Sequence, residues 1–431
     1  MKESTLAIFA LCFLPLIGFA SDTLTVEQCR SLALENSPLQ QKKLYAESIR
    51  ALQFRNLQSN SLPRIQVGAQ ASWQSDVFGL PFNLPGSEIP VVPKDQYKLS
   101  ADVAQRIWDG GSDRFHRQQR EIERDLASAQ VDVDVFSLRE IVTDLYFKAL
   151  LLQESQAVLL SSKKDLETRL KQVEASVIEG VALRSSADQI KIQVLKTEQQ
   201  IAAILSDHLA LLEILAKWTG REKADFVLLV PKSDTGNRPS VNKPSTGEKP
   251  EFLRPEHSLF SLQQRSLQIG KDALGLRAQP RLEAFAQAGL GRPNPFNFFE
   301  TGFEPFFLVG LRAAWTPIDW GNKRREAQVF DLHMKNVDAQ RQFFDQRLET
   351  STLKDQQDEA KWKAQLIQDD AIIMLQSDIV RSADAQVKNG VMTMTDYLAQ
   401  INLLTQAQLT RKTHEVQAAQ ALELWKAKRG D

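Results

Sequence analysis

The sequence predicts an α+β fold of two similar halves, each combining alternating strands with very long helices. Glycines recur at one offset (321 − 111 = 210) in three pairs: Gly111 with Gly321, Gly180 with Gly390, and Gly220 with Gly430. Four runs alternate between apolar and polar residues with the period of a strand, and long stretches without proline or glycine carry apolar residues at helical spacing. We therefore predict an internal two-fold repeat of about 200 residues.

The composition fits a globular chain and argues against several classes of function. The 431 residues are 42% hydrophobic and 25% charged, within the usual range. The formal net charge of −1 provides no basic excess for binding nucleic acid. The sequence has no phosphate-binding loop, nucleophile motif or triad pattern, so we expect neither an enzyme nor a cofactor. A single cysteine after the leader and histidines without ligand spacing also argue against a metal site.

Residues 1–20 have the features of a secretory signal peptide. Lys2 is followed by an apolar stretch from Leu6 to Phe19, and small residues precede a cleavage site after Ala20. The stretch is too short to span a bilayer comfortably as an anchor. No later segment approaches 18 continuous apolar residues, the length typical of a spanning helix. After export, the chain is therefore either soluble or inserted in a membrane without apolar helices.

The first half begins with a helix and a predicted hairpin. Residues 24–62 predict a helix broken at Ser37-Pro38, with a capping box formed by Thr25 and Gln28 at its start. Residues 64–74 alternate strictly, as expected of a strand with one apolar face. A second alternating run lies at 98–107, after a loop rich in proline and glycine.

A long helical hairpin follows. From Ser112 to Glu179 there is neither proline nor glycine, so a helix roughly 100 Å long is expected. Its apolar residues step by four and three, which is coiled-coil spacing. Gly180-Val181 should end the helix, and residues 183–218 predict the antiparallel return helix.

The second half repeats this order after a proline-rich linker. Pro255 opens a helix that Pro280 closes, and two alternating runs flank a loop rich in phenylalanine. Another long helix then runs to Asn389, and a last one to about Lys428. The predicted segments are a signal peptide at 1–20, repeat 1 at 21–230, a linker at 231–252 and repeat 2 at 253–431.

Two short joints connect strand to long helix. Asp109 and Gly111 form the first joint, and Asp319 and Gly321 form the second. Aspartate favours turns and helix N-termini, so both aspartates are expected to form turns and caps rather than to act as catalytic acids.

The predicted strands indicate insertion in a membrane. Each has one apolar face and about 9–11 residues, the length of a tilted transmembrane strand. Four strands cannot close a barrel, and an open edge in lipid leaves backbone groups unpaired. The chain must therefore share its barrel with other copies.

An ordered set of short motifs at repeat spacing carries a family resemblance. The motifs are Asn36 to Leu39, Pro63, Trp108 to Gly111, Gly180-Val181, Trp218 to Gly220, Arg254-Pro255 and Gly390-Val391. On them the chain resembles the TolC-like outer membrane efflux protein family over essentially its whole mature length. The resemblance implies a homotrimer, with a twelve-stranded outer-membrane β-barrel (four strands per protomer) continuous with a periplasmic α-helical barrel. It also implies a passive exit duct of a tripartite efflux or type I secretion system, docked to a periplasmic adaptor and an inner-membrane transporter.

The resemblance also assigns roles to the helical tips. Asp396 and Met392 fall at a periplasmic entrance or gate, where relatives carry a second acid that is Ala399 here. A solvated helix position is an equally good interpretation of Asp396. The candidates for contact with the adaptor are Gly180, Val181, Leu183, Gly390 and Val391. Helix capping explains their glycines as well, and both interpretations can hold.

Two features of the sequence allow more than one interpretation. Trp73, Trp315 and the phenylalanines at 296–307 suit either an interfacial aromatic girdle or packing at a loop base or lid, and the girdle is favoured for Trp73. The alternative function is an exported soluble coiled-coil scaffold or adhesin without a barrel, against which the four strands argue. The sequence does not distinguish a drug, metal or protein as the transported substrate.

Overall fold

The structure, a computed structural model, describes residues 22–77, 91–222, 226–231, 254–297 and 300–429. The predicted signal peptide and linker therefore lie almost wholly outside the described residues, as do Phe298, Phe299 and Gly430. In chain order the elements are β1 Asp22–Leu24, α1 Val26–Asn36, α2 Leu39–Ser59, β2 Arg64–Trp73, β3 Asp95–Trp108, α3 Ser112–Ile178, α4 Arg184–Thr219, β4 Phe226–Leu228, α5 Pro255–Ala273, β5 Arg281–Arg292, β6 Glu304–Ala314, α6 Asn322–Lys388 and α7 Met394–Arg429.

Most predicted elements are present near their expected bounds. The two long helices α3 and α6 each contain 67 residues, and their return helices α4 and α7 each contain 36. The capping box at Thr25 is confirmed, because its side chain and that of Gln28 each accept the other residue's backbone N–H. Some bounds differ from expectation. Helix α5 ends at Ala273, before Pro280, and gives way to a short 3₁₀ turn. Strand β3 begins at Asp95 rather than at residue 98, and Trp315, the last apolar residue of the fourth alternating run, lies just beyond the end of β6.

The chain divides into two compact units, each drawing on both halves of the sequence. The sheet unit comprises residues 38–136 and 253–350, and the tip unit comprises residues 1–37, 137–252 and 351–431. Among the described residues, no helix combines the length and apolarity needed to cross a bilayer.

The sheet unit contains an antiparallel sheet of strand order β2-β3-β5-β6. Its register places most apolar residues of the four strands, though not Phe285, Phe306 and Leu308, on one face, for example Val67 opposite Ala101, and Ala288 opposite Phe307. That face is well exposed at Val67, Phe307 and Val309. We call it the apolar face, and the opposite side, which carries Lys98, Asp102 and Gln287 among others, the polar face. Within the described residues β2 and β6 are the edge strands.

The tip unit has its core along the helices and around a small parallel sheet. Strands β1 and β4 pair over three residues each. They are fixed to α3 by Tyr146, whose hydroxyl lies 2.9 Å from the carbonyl oxygen of Leu24 and 2.6 Å from that of Leu229. Gln153 pairs with both the N–H and the C=O of Leu228, at 3.0 and 2.9 Å. The Gln153 amide thus makes the two hydrogen bonds to Leu228 of β4 that a neighbouring strand would otherwise make.

Candidate functional site

The first candidate site is the turn between α3 and α4, residues 179–183, which we call tip 1. Gly180 has a φ of 76°, and its N–H donates to the carbonyl of Val177 at 3.1 Å. The N–H of Val181 donates to the carbonyl of Ser176 at 2.8 Å. This pair of bonds is a Schellman motif, which satisfies carbonyls left unpaired at a helix end. A Cβ on Gly180 would meet no atom within 4 Å, so the left-handed backbone alone favours glycine.

The turn between α6 and α7, residues 389–393, repeats this geometry, and we call it tip 2. Gly390 has a φ of 73° and donates to Val387 at 3.1 Å. Val391 donates to Gln386 at 2.9 Å. Both predicted tip glycines are therefore helix-capping residues.

The tips expose apolar side chains that no capping role requires. Val181 is 79% exposed and Val391 77% exposed, and Leu183 of tip 1 and the adjoining Ile178 at the end of α3 are also well exposed. Ile178 was not singled out in the sequence, because it is the last residue of a helix whose apolar residues are otherwise mostly buried. Tip 1 and the end of α3 thus present three exposed apolar side chains, while Val391 is the main exposed apolar side chain on tip 2.

Of the predicted gate residues, Met392 lies in tip 2 and Asp396 lies in the first turn of α7, and their surroundings differ. Asp396 is exposed, and its carboxylate accepts a hydrogen bond from the hydroxyl of Thr393 at 2.6 Å. The N–H of Asp396 donates to the same hydroxyl at 3.2 Å, so the pair caps the start of α7. Met392 is half-buried and packs against the apolar core beneath the tips, with Val173, Ile190 and Leu398 among its members.

A polar cluster in this core joins three helices. The Arg169 guanidinium on α3 lies 2.7 Å from the Asp384 carboxylate on α6 and 5.1 Å from the centre of the Tyr397 ring on α7. Burial raises the pKa of Tyr397, and Arg169 counteracts part of that shift. Sequence reasoning missed this cluster because its members are far apart in the chain and each lies within an unremarkable helical pattern.

The strand-to-helix joints share one arrangement in the sheet unit. One carboxylate oxygen of Asp109 accepts the N–H of Gly111 at 2.9 Å and the other accepts that of Asp113 at 2.6 Å. Asp319 accepts the N–H groups of Gly321 and Lys323 at 3.0 and 2.8 Å. Each aspartate therefore makes a turn and caps the first turn of a long helix.

The same hydrogen bonds govern the acidity of the two aspartates. Partial burial alone would raise the pKa of Asp109, but the N–H groups of Asp113 and Gly111, with the Arg106 charge, outweigh it and lower the pKa below 3.8. The pKa of Asp319 is lowered mainly by the N–H of Lys323. Both side chains are therefore ionised at neutral pH and bind backbone donors.

The joints differ at the residue after the aspartate. Gly110 has a φ of 70°, and a Cβ there would lie 2.8 Å from the Cβ of Gln279. Trp320 occupies the equivalent position with a φ of 55° and is 86% exposed. A bulky residue in this backbone conformation is unusual. At the first joint, position 110 thus requires glycine both because its backbone is left-handed and because Gln279 leaves no space for a side chain.

Two family motifs meet in the tip unit. The side-chain amide of Asn36 donates to the carbonyls of Lys217 and Trp218, both at 3.3 Å. Gly220, with a φ of 71°, would place a Cβ 2.7 Å from Asn36. The Asn-Ser-Pro start and the Trp-Thr-Gly end of the first half are therefore one packing site, which the sequence alone did not link.

Other reactive groups in the described residues are structural in character. Burial raises the pKa of the Cys29 thiol to about 12, which keeps it protonated and unreactive. Among the described residues no group of three or more His, Cys, Asp or Glu side chains is arranged to hold a metal ion.

Comparison with known proteins relates this geometry to one class, the outer-membrane efflux channels. Residues 29–221 match the family model described as outer membrane efflux protein. The fold is similar to VceC from Vibrio cholerae at a TM-score of 0.65 and 13% identity, covering 94% of this chain and 96% of that one. The fold is also similar to CusC, at a TM-score of 0.69 and 12% identity, covering 94% of this chain and 91% of that one. For the open-state MtrE channel of Neisseria gonorrhoeae the TM-score is 0.63 and the identity 17%, with 94% and 88% covered. No curated protein sequence matches the chain.

The chain's resemblance to the TolC-like outer membrane efflux proteins is thereby confirmed. Residues 29–221 match the model of the outer membrane efflux proteins, and the α+β fold of the chain is similar to the folds of VceC and CusC. That family consists of channel-forming proteins.

Proposed function

We propose that this chain is one protomer of a homotrimeric outer-membrane channel-tunnel, the passive exit duct of a tripartite efflux or type I secretion system. Three copies would supply four strands each to one β-barrel in the outer-membrane lipid. Their helices would continue it as a periplasmic α-helical barrel. The observation that carries the proposal is the four-stranded sheet of the sheet unit, with an exposed apolar face and two open edges.

In a single chain inserted in lipid, the edge strands of this sheet would leave backbone groups without hydrogen-bond partners. Strands of 10, 14, 12 and 11 residues are long enough to cross a bilayer when tilted. In lipid, the unpaired backbone groups of β2 and β6 would each cost several kcal/mol. Pairing β2 of one copy with β6 of the next removes both edges. A closed ring then puts the apolar face against lipid and the polar face around the pore.

The partners we propose are a periplasmic adaptor and an inner-membrane transporter. The adaptor would contact tips 1 and 2, whose exposed valines and leucine are apolar surface on a polar helical hairpin. For Asp396 the bond to Thr393 supports a capping role, and for Met392 partial burial supports a core role. Asp396→Ala should then leave the single-channel conductance and cation block unchanged, and a rise in conductance would instead favour a charged gate.

The equal lengths of the corresponding helices in the two halves support an internal repeat. The 67-residue and 36-residue pairs and the paired joints support a duplicated unit at 21–230 and 253–431, separated by the linker at 231–252. An N-terminal signal peptide at 1–20 would direct export and hence the outer-membrane location.

Fractionation of cells and electrophoresis test the proposal. We expect the protein in the outer membrane, released only by detergent, and migrating as a trimer that heat converts to monomer. In planar bilayers the purified trimer should form water-filled channels. A soluble periplasmic protein without channels would support the scaffold alternative and refute the duct.

Substitutions at the tips test the proposed contact with the adaptor. Val181→Trp and Val391→Trp should abolish export while the heat-sensitive trimer still forms, since each valine is outside the packed core. Lys164→Trp is the matched control, with the same bulk on an exposed position of α3 roughly 25 Å from tip 1. Full export by both tip variants, or equal loss in the control, would contradict this role for the tips.

A further inference from the structure

The phenylalanine-rich segment between β5 and β6 divides between the two faces of the sheet. On the apolar face, the Phe303 ring lies 5.9 Å from the ring of Tyr97, and the guanidinium of Arg292 lies 5.9 Å from it. On the polar face, Phe306 is opposite Gly289 in the register. Phe296 packs edge-on against Phe306, with ring centres 5.7 Å apart. One segment thus contributes aromatic rings to both sides.

Two glycines of β5 show that the turn lies on the polar face. A Cβ at Gly289 would come within 2.9 Å of Cζ of Phe306, and a Cβ at Gly291 within 2.7 Å of Cδ of Pro295. Both glycines have side-chain positions on the polar face, because they alternate with Leu290 of the apolar face. Pro295 and the Phe306 ring therefore rest directly on the sheet, and the chain leaving β5 turns onto its polar side.

Asn294 fixes the conformation of this turn. Its side-chain oxygen accepts the N–H of Phe296 at 3.0 Å, and its carbonyl accepts the N–H of Asn297 at 3.2 Å. Its own N–H donates to the carbonyl of Glu300 at 3.2 Å, and its amide donates to the Glu300 carboxylate at 3.1 Å. Phe296 is thus held by a bonded turn.

The two rings on the polar face, Phe306 and Phe296, differ in their exposure. Phe306 is only 5% exposed and Phe296 is 55% exposed. The Lys98 ammonium group lies 5.4 Å from the centre of the Phe306 ring. Phe306 is therefore the base of the cluster, and Phe296 projects from it. The cluster lies at the end of the sheet away from the helices, since α3 and α6 follow the opposite ends of β3 and β6.

We propose that Phe296, seated on Phe306 and Pro295, is a fixed aromatic constriction inside the outer mouth of the pore. This inference rests on the proposed trimeric channel, in which the polar face lines the pore and symmetry brings three copies of Phe296 toward one axis. The constriction determines which solutes leave by their size, and it narrows the path for hydrated ions. Phe303, on the other face, takes no part in it.

Single-channel recording in planar bilayers tests the constriction. Phe296→Ala removes an exposed ring and should raise the conductance of the trimer by about 1.5-fold or more, while Phe296→Trp should lower it. Phe303→Ala is the matched control from the same segment and should conduct like the wild type. A wild-type conductance in both Phe296 variants, or an equal rise in the control, would overturn the proposal.

A thiol reagent provides a second measurement on the folded trimer. Cys29 is buried and is the one cysteine that follows the predicted signal peptide. A bulky thiol-specific reagent should therefore block channels of Phe296→Cys and leave those of Phe303→Cys open. Labelling of Phe296→Cys without block would overturn the constriction. If the wild type forms no channels, the proposed function itself fails, which is a different outcome from channels of unchanged conductance.

Discussion

Gly110 provides a quantitative test of how the strand-to-helix joint is built. Its backbone is left-handed, with a φ of 70°, and an added Cβ would lie 2.8 Å from the Cβ of Gln279. Gly321, at the second joint of the same unit, is also left-handed at 76°, but its nearest atom would be 3.5 Å away, an ordinary contact. Alanine at the two positions thus separates the cost of conformation from the cost of crowding.

The expected losses follow from these two geometries. A left-handed L residue costs roughly 1–2 kcal/mol, and replacing glycine returns about 0.4–1 kcal/mol by restricting the unfolded chain. Gly321→Ala should therefore lower the free energy of unfolding by about 1 kcal/mol. Gly110→Ala adds an overpacked contact of about 1–3 kcal/mol, so its total loss should be about 2–4 kcal/mol.

The free energies of unfolding of both variants are measured by equilibrium unfolding in guanidinium. The unfolding is followed by circular dichroism at fixed concentrations of protein and detergent. The double variant Gly110→Ala/Gln279→Gly is the decisive control, since it removes the Cβ that the alanine would meet. Its loss should be smaller than the sum of the two single losses by about 1 kcal/mol or more. Equal losses for Gly110→Ala and Gly321→Ala, with additive double-variant values, would refute the role of crowding.

Three further substitutions have expected outcomes in the same unfolding assay. Asn36→Ala removes two hydrogen bonds to the end of α4 and should cost about 1 kcal/mol, while Gln40→Ala, an exposed control on α2, should cost almost nothing. Asp109→Asn should be less stable than the wild type at neutral pH. The lowered pKa means that the carboxylate contributes stability above the unfolded value of 3.8, so the difference should shrink as pH falls from there through the folded pKa. Trp320→Gly relieves a left-handed tryptophan and should raise the free energy of unfolding by about 0.5–1 kcal/mol; a loss would show that the indole makes a stabilising contact.

The long helices were predictable from the sequence because glycines mark the turns at which they end. Gly180 and Gly390 end helices in the left-handed conformation that glycine adopts without strain, and the stretches between markers contain no breaker. The hairpin strands were found for a similar reason. Strict alternation over ten or more residues suits few structures besides a two-faced strand.

Other features were not predictable because they depend on residues distant in sequence. Strands β1 and β4 have three residues each, too few for any periodicity. The Arg169 cluster and the contact of Asn36 with Gly220 join separate helices. The phenylalanine segment was ambiguous because the face that each ring occupies depends on the register of β5 and β6, which composition does not specify.

The pairing of β1 with β4 has a consequence for the order of folding. Leu24 has its partner at Leu228, later by 228 − 24 = 204 residues. From positions in between, Tyr146 bonds to the carbonyls of Leu24 and Leu229, and Gln153 bonds to Leu228. Contacts of such separation carry a large loop-closure entropy and form late. Strand β1 can therefore be completed only after nearly half the chain, up to β4, is available to fold. Until then Val26 and Cys29, fully buried in the native fold, remain accessible, and exposed apolar side chains of this kind make a partly folded chain prone to aggregate.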